Sequence, residues 1–98
     1  MSTYEIVHNK ENMRFEIHGK DAVAFLEYRL QPGSISFMHT EVPPKFSGRG
    51  AATALAEYAF KYAKENHLPV KVYCSFVAKF VEKHPEYKTQ IIPKPASN

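Results

Sequence analysis

Apolar residues recur at a short period through the first 42 positions and at a helical one beyond Gly50. Tyr4–His8 and Met13–His18 flank Asn9-Lys10-Glu11-Asn12, a polar tetrapeptide suited to a hairpin loop, and both segments read as strands. Ala22–Leu30 is rich in Val, Phe, Leu and Tyr, with apolar residues on both faces until Glu27 and Arg29, which predicts a mostly buried strand. Gln31-Pro32-Gly33-Ser34 is turn chemistry. Across Ile35–Val42 a period of two places Ile35, Phe37, His39 and Glu41 on one face and Ser36, Met38, Thr40 and Val42 on the other. The first of these faces begins apolar and ends polar, as a strand does when its end reaches a site.

From Gly50 to His67 the apolar residues Ala52, Leu55, Ala56, Ala59, Phe60 and Ala63 follow the spacing of a helix with one buried stripe. The alanines in that stripe let the helix sit close to a sheet. Glu57 and Lys61 form an i, i+4 pair, and Tyr58 and Tyr62 flank the stripe, where amphipathic tyrosines edge a core or meet a second copy. Pro69 ends the segment and Val70–Tyr73 reads as a fifth strand. Ser75 is placed to cap a second helix with the stripe Phe76, Val77, Phe80 and Val81, stopped by His84-Pro85. Strands joined by tight turns pair antiparallel, and a helix between two strands makes a parallel crossover. The expected fold is therefore α+β, a mainly antiparallel sheet of about five strands with one βαβ unit and two main helices. Residues 1–98 form a single domain in this reading, with PKPASN (93–98) as a flexible tail.

Composition narrows the function classes. A chain of 98 residues with 44% apolar and 23% charged residues matches an ordinary globular domain. No apolar run nears the roughly 20 residues of a membrane span. The N-terminal segment MSTYEIVHNKENMRF lacks the apolar stretch of a signal peptide, and the single Cys74 suits a reducing compartment, so a cytoplasmic location is expected. The net charge of +3 is spread along the chain, which argues against nucleic-acid binding and fits a polyanionic small ligand such as a nucleotide or coenzyme A. The five histidines show no metal spacing, and there is no Gly-x-Ser-x-Gly elbow. Neither a metal nor hydrolase chemistry is expected.

The stretch EVPPKFSGRGAA (41–52) carries the strongest chemical signal. A strand ends, a Gly-rich loop follows, and a helix begins whose first N–H groups lack partners. Those groups and the helix dipole make an anion site matched to phosphate. Gly48 and Gly50 let backbone approach an oxygen, Ala51 and Ala52 keep the mouth clear, and Lys45 and Arg49 add positive charge. The plainer reading is a turn after two prolines. The stretch is neither a Walker loop nor a dinucleotide fingerprint.

Lys45-Phe46-Ser47-Gly48-Arg49-Gly50-Ala51 resembles the Gln/Arg-x-x-Gly-x-Gly/Ala loop of the GNAT superfamily of N-acetyltransferases. The likeness extends to His39-Thr40-Glu41-Val42-Pro43 before the loop, and to Tyr73-Cys74-Ser75-Phe76-Val77, Phe80-Val81 and His84-Pro85 after it. Together these blocks resemble the small single-domain GNAT-like group, over about Tyr4 to Ile92. The resemblance implies that the loop holds the pyrophosphate of acetyl-CoA, through Lys45, Phe46, Ser47, Gly48, Arg49, Gly50 and Ala51. It implies that backbone around Glu41 and Val42 pairs with the pantetheine arm, and that the thioester sits near Tyr73 and Cys74.

Two departures stand out. Lys45 takes the place of Gln or Arg, and the two helices that larger members carry between their first two strands are reduced here to Asn9–Asn12. Those helices help form the acceptor pocket in the larger members, so the acceptor amine is open: broad, large, or completed at a dimer interface. A monomer or weak homodimer is expected.

The resemblance implies direct attack of an amine on the acetyl thioester. Glu41 or His39 is then the base, directly or through water, and Cys74 lies near the coenzyme sulfur as acid or transient acetyl acceptor. Each has an ordinary alternative: a solvated strand-end carboxylate, a structural histidine and a small buried thiol. From another class, a non-catalytic acyl-CoA-binding or sensing module is the competing reading.

Overall fold

A computed structural model of the chain describes residues 4–46, 48 and 50–92. The strands are β1 (Val7–Asn9), β2 (Arg14–His18), β3 (Val23–Gln31), β4 (Ser34–Glu41) and β5 (Val70–Val72), and the helices are α1 (Ala51–Glu65) and α2 (Ser75–Lys83). One-turn and two-turn 3-10 segments, Pro44–Phe46 and Pro85–Gln90, precede α1 and follow α2. The sheet runs in the order β1-β2-β3-β4-β5. Its first three pairings are antiparallel and β4–β5 is parallel, with α1 as the crossover. This is the α+β arrangement expected from the order of elements.

Register separates the two faces of the sheet. Phe15 opposes Leu26 and Ile17 opposes Ala24, and all four are buried, as are Tyr28, Ile35 and Phe37 on the same side. α1 lies over this face with Ala51, Ala54, Leu55, Ala56, Ala59, Phe60 and Ala63 buried. Ala52, expected in the stripe, is only half-buried, because the buried arc begins one residue earlier at Ala51. Phe60 joins the layers: its ring meets Phe37 edge-on at 5.2 Å and stacks on Phe80 of α2 at 6.2 Å. Tyr58 and Tyr62 edge this core, each against Phe15 at 5.3 and 5.4 Å.

β3 differs from the sequence reading. Only Ala24, Leu26 and Tyr28 are buried, while Val23, Phe25 and Glu27 on the alternate face are half-exposed. The strand is covered on one side only, so its apolar alternate face includes Phe25 beneath the Arg14 guanidinium rather than beneath a second layer. The cap of α2 differs too. Ser75 is the first helical residue and Cys74 occupies the N-cap position in extended backbone, with no side-chain cap bond.

α1 ends without glycine. Leu68 N–H donates to Ala63 O and His67 N–H to Lys64 O, the paired bonds of a Schellman motif, with His67 in the left-handed region at φ 56°.

Candidate functional site

β4 decides the geometry of the site. Tyr28 pairs with Phe37 but its neighbour Glu27 pairs with His39, so Met38 is an extra residue, a β-bulge. The bulge inverts the parity of everything after it. Ile35 and Phe37 face the core; His39 and Glu41 do not, because they oppose Glu27 and Phe25 on the polar face. Thr40, opposite buried Leu26, now shares the face that Phe37 occupies. The single face that sequence alternation drew through Ile35, Phe37, His39 and Glu41 is in fact two.

The bulge coincides with a fork. Pairing of β4 with β5 ends at Phe37–Val72. The Phe37 carbonyl accepts from both Tyr73 N–H (2.9 Å) and Cys74 N–H (3.1 Å), which turns the chain off β5 into α2. Met38–Glu41 therefore continue beside β3 with their other edge unpaired by β5. A bulge next to an open strand edge re-aims side chains and offers backbone groups to an extended ligand.

Two side-chain pairs flank the fork. Thr40 Oγ1 and Cys74 Sγ share a hydrogen bond at 3.2 Å, with the thiol buried at 6% exposure. On the opposite face, exposed His39 Nε2 and Glu41 Oε1 lie 3.3 Å apart. The structure thus brings His39 to Glu41 and Thr40 to Cys74, and sets the two pairs on opposite sides of one strand. Thr40 carried no role in the sequence reading. Its signal was the change from apolar to polar along a supposed single face, which marks a parity switch as well as it marks a strand end.

The polar face behind His39 is built from charge. Arg14 lies 4.1 Å over the Phe25 ring, and that ring meets His39 at 6.1 Å in an edge-on contact. Arg14 is held by Glu16, which accepts from Arg14 Nε (2.8 Å), His18 Nε2 (2.7 Å) and Asn9 Nδ2 (3.1 Å) while only 3% exposed. Burial pushes the Glu16 carboxyl up, but the hydrogen bonds from His18, Arg14 and Asn9 and the Arg14 charge outweigh it and hold the group below its ordinary value.

The helix mouth lies at the far end of β4. A cavity of about 440 Å³ is bounded by Val42, Phe46, Gly48, Gly50, Ala51 and Thr53 among others. Gly50 is the N-cap of α1 at φ 76°, ψ 16°, and the first intrahelical bond is Ala54 N–H to Gly50 O at 2.9 Å. Among the described residues no side chain caps this end, and its first turn holds no acidic residue, so the positive end of the helix dipole at the cavity is not offset by a carboxylate of its own first turn. Gly48 is likewise left-handed at φ 73°. A Cβ at either glycine would meet nothing within 4 Å, so the requirement for glycine is backbone handedness, and the space outside the loop stays open.

The remaining candidates fall as follows. Val42 is half-buried and packed on the core, and Ala51 is 1% exposed at the start of α1. Phe46 is buried and forms a wall of the mouth. Lys45 turns away from the mouth: its Nζ donates to Asp21 Oδ2 at 2.7 Å in an exposed pair. Ser47 and Arg49 lie outside the described residues.

The sequence profile of the GCN5-related N-acetyl-transferase family matches residues 14–91, and the chain belongs to that family. It is similar to the protein NATD1 of Danio rerio, 33% identical over 94 residues that cover 89% of this chain and 84% of that protein. NATD1 of Xenopus tropicalis is 30% identical over 89 residues, covering 86% of this chain and 80% of the relative.

Proposed function

We propose that this protein binds acetyl-CoA and transfers its acetyl group to an amine, the base being drawn from His39 and Glu41. The observation that carries the reading is the coincidence of three features along one strand: the Met38 bulge, the fork after Phe37–Val72 and the uncapped helix mouth at Gly50. These fit an extended, phosphate-bearing thioester. The mouth offers to a pyrophosphate N–H groups that no side chain caps among the described residues, the free edge of β4 offers backbone bonds to a pantetheine arm, and the fork admits a reacting group between strands.

Acetyl-CoA, when bound, supplies an activated acetyl group; the chain's own work is orientation and proton transfer. Glu41 Oε1 and His39 Nε2 face solvent on the polar side, where an ammonium can approach and give up a proton. Cys74 Sγ, bonded to Thr40 Oγ1 at the start of α2, stands on the other side of the fork, positioned to hold or donate a proton there. Val42 and Phe46 shield the mouth, with Gly48, Gly50 and Ala51 forming its floor. Ser47, Arg49 and Lys45 belong to the proposed loop contacts, Lys45 after release from Asp21.

One observation favours a second reading, an acyl-CoA-binding module without turnover. β1 and β2 are joined by a tight turn, Lys10–Met13, closed by Met13 N–H to Lys10 O at 3.3 Å, so nothing between them walls an acceptor site.

The test is calorimetric titration with CoA and acetyl-CoA, of the wild type and of Ala52→Glu. A glutamate in the first turn favours the helix while repelling phosphate, so the variant stays folded. Micromolar binding lost in the variant supports the site, and acetylation of simple amines then separates enzyme from module. No binding to the wild type rejects both.

A further inference from the structure

On the polar face of the sheet one arginine ignores the partner that register gives it. Arg14 of β2 stands directly opposite Glu27 of β3, an opposite-charge pair that favours contact. Glu27 pairs instead with Arg29 of its own strand, at 3.0 Å. Arg14 turns to Glu16, with both Nε and Nη2 at 2.8 Å from the same oxygen, Oε2. Two nitrogens on one oxygen fix the plane of the guanidinium as well as its place. Its central carbon then lies 4.1 Å from the Phe25 centroid, so a ring on a sheet face without a second layer is covered by a cation. Glu16 is the anchor of this arrangement, 3% exposed, with Asn9 Nδ2 at 3.1 Å and His18 Nε2 at 2.7 Å completing its hold.

From Phe25 the contacts run on to β4. Glu27 opposes His39 as well as Arg14, so these two stand on either side of it in one row across the sheet. Phe25, one pair further along, reaches both on the diagonal and joins them around Glu27. Its ring meets His39 edge-on, 6.1 Å between centroids. On a further side Glu41 Oε1 stands 3.3 Å from His39 Nε2. The imidazole is therefore bounded by a ring and by a carboxylate, although more than half of its side chain is exposed.

We infer that Arg14 and Phe25 are positioning residues for His39, with the buried Glu16 carboxylate fixing Arg14. The guanidinium holds the ring, and the ring holds the imidazole beside Glu41. The inference rests on the reading of His39 and Glu41 as the source of the base. Contacts of this kind restrict an exposed strand-end histidine to few orientations, so less freedom is lost when an ammonium approaches it.

The experiment follows His39 directly. Its ring-proton resonances are recorded by NMR in the full chain and assigned by their loss in His39→Gln. Wild type, Arg14→Met, Phe25→Leu and the double variant are compared. The Arg14 side chain is 31% exposed and Met keeps its apolar stem, so Arg14→Met retains the fold. That variant is expected to displace the His39 resonances, and the same change made in Phe25→Leu to displace them far less, because the coupling runs through the ring. Turnover of Arg14→Met is expected to fall about tenfold in kcat with KM within about twofold, since a misplaced base slows the chemical step. His39 resonances that stay in place in Arg14→Met, or move equally in both backgrounds, overturn the inference. A displaced imidazole with unchanged kcat overturns it too. A wild type that transfers no acetyl group rejects the reading of the base, and the resonances then decide by themselves whether Arg14 and Phe25 place the imidazole.

Discussion

The Thr40 hydroxyl and the Cys74 thiol meet at 3.2 Å across the mouth of the β4–β5 fork, 34 residues apart in sequence. The contact exists because a bulge turns Thr40 inward and because the Phe37 carbonyl holds the backbone of Cys74 in place. If the thiol moves a proton in acetyl transfer, Cys74→Ala is expected to lower kcat by about 10²-fold or more with coenzyme affinity retained. Thr40→Val keeps the shape and removes the hydrogen bond, so a smaller loss is expected. Unchanged turnover in Cys74→Ala assigns the thiol to the core alone.

Gly19 tests the link between the β2–β3 turn and the Pro44–Phe46 turn. An added Cβ meets Phe46 Cζ at 2.8 Å and Ala22 O at 3.2 Å. The ring is buried and cannot swing freely, so Gly19→Ala is expected to destabilise by about 1–3 kcal/mol, the usual range for overpacking. Urea denaturation measures it. The double variant Gly19→Ala with Phe46→Leu, which clears the clash, recovers part of the loss.

Glu16 makes stability depend on acid. Its carboxyl is held below the ordinary 4.5 in the folded protein, so the unfolded chain binds its proton first as pH falls. The stabilisation is complete above about 4.5 and is lost as pH drops through the lower folded value. Glu16→Gln is expected to cost about 1–3 kcal/mol near neutrality, by weakening bonds to Arg14 and His18, and to flatten the dependence below that pH. Thermal melts across pH 3 to about 7 check both statements. A variant as acid-sensitive as the wild type places the dependence elsewhere.

Much of this architecture is legible in the amino-acid sequence. Leu55, Ala59, Phe60 and Ala63 sit on a helical stripe because α1 buries one side only, and the prolines and glycines around it mark its ends. The Gly-rich junction between β4 and α1 was legible as well, since Gly48 and Gly50 stand where the chain takes left-handed backbone. The bulge left no residue-type mark. Met38 is an ordinary strand former, and its extra place in β4 is set by pairing with β3, a non-local fact. Glu16 was equally hidden. A glutamate on the polar face of a strand reads as solvated, and only the gathering of Asn9, Arg14 and His18 around it explains its burial.

Met38 offers a way to separate fold from function. It is 38% exposed, so its deletion removes little buried apolar surface. Without it, Phe37 opposite Tyr28 and His39 opposite Glu27 become consecutive pairs of a regular antiparallel ladder, and no downstream residue changes face. Stability of the deletion variant is therefore expected to lie within about 1.5 kcal/mol of the wild type. The strand, however, loses the local bend and added twist that a bulge gives it beside the fork. If that bend forms the coenzyme groove, acetyl-CoA affinity falls by about tenfold or more in a protein that still unfolds cooperatively. A deletion variant that folds and binds acetyl-CoA as the wild type does would show that the bulge serves β3–β4 pairing and takes no part in the site.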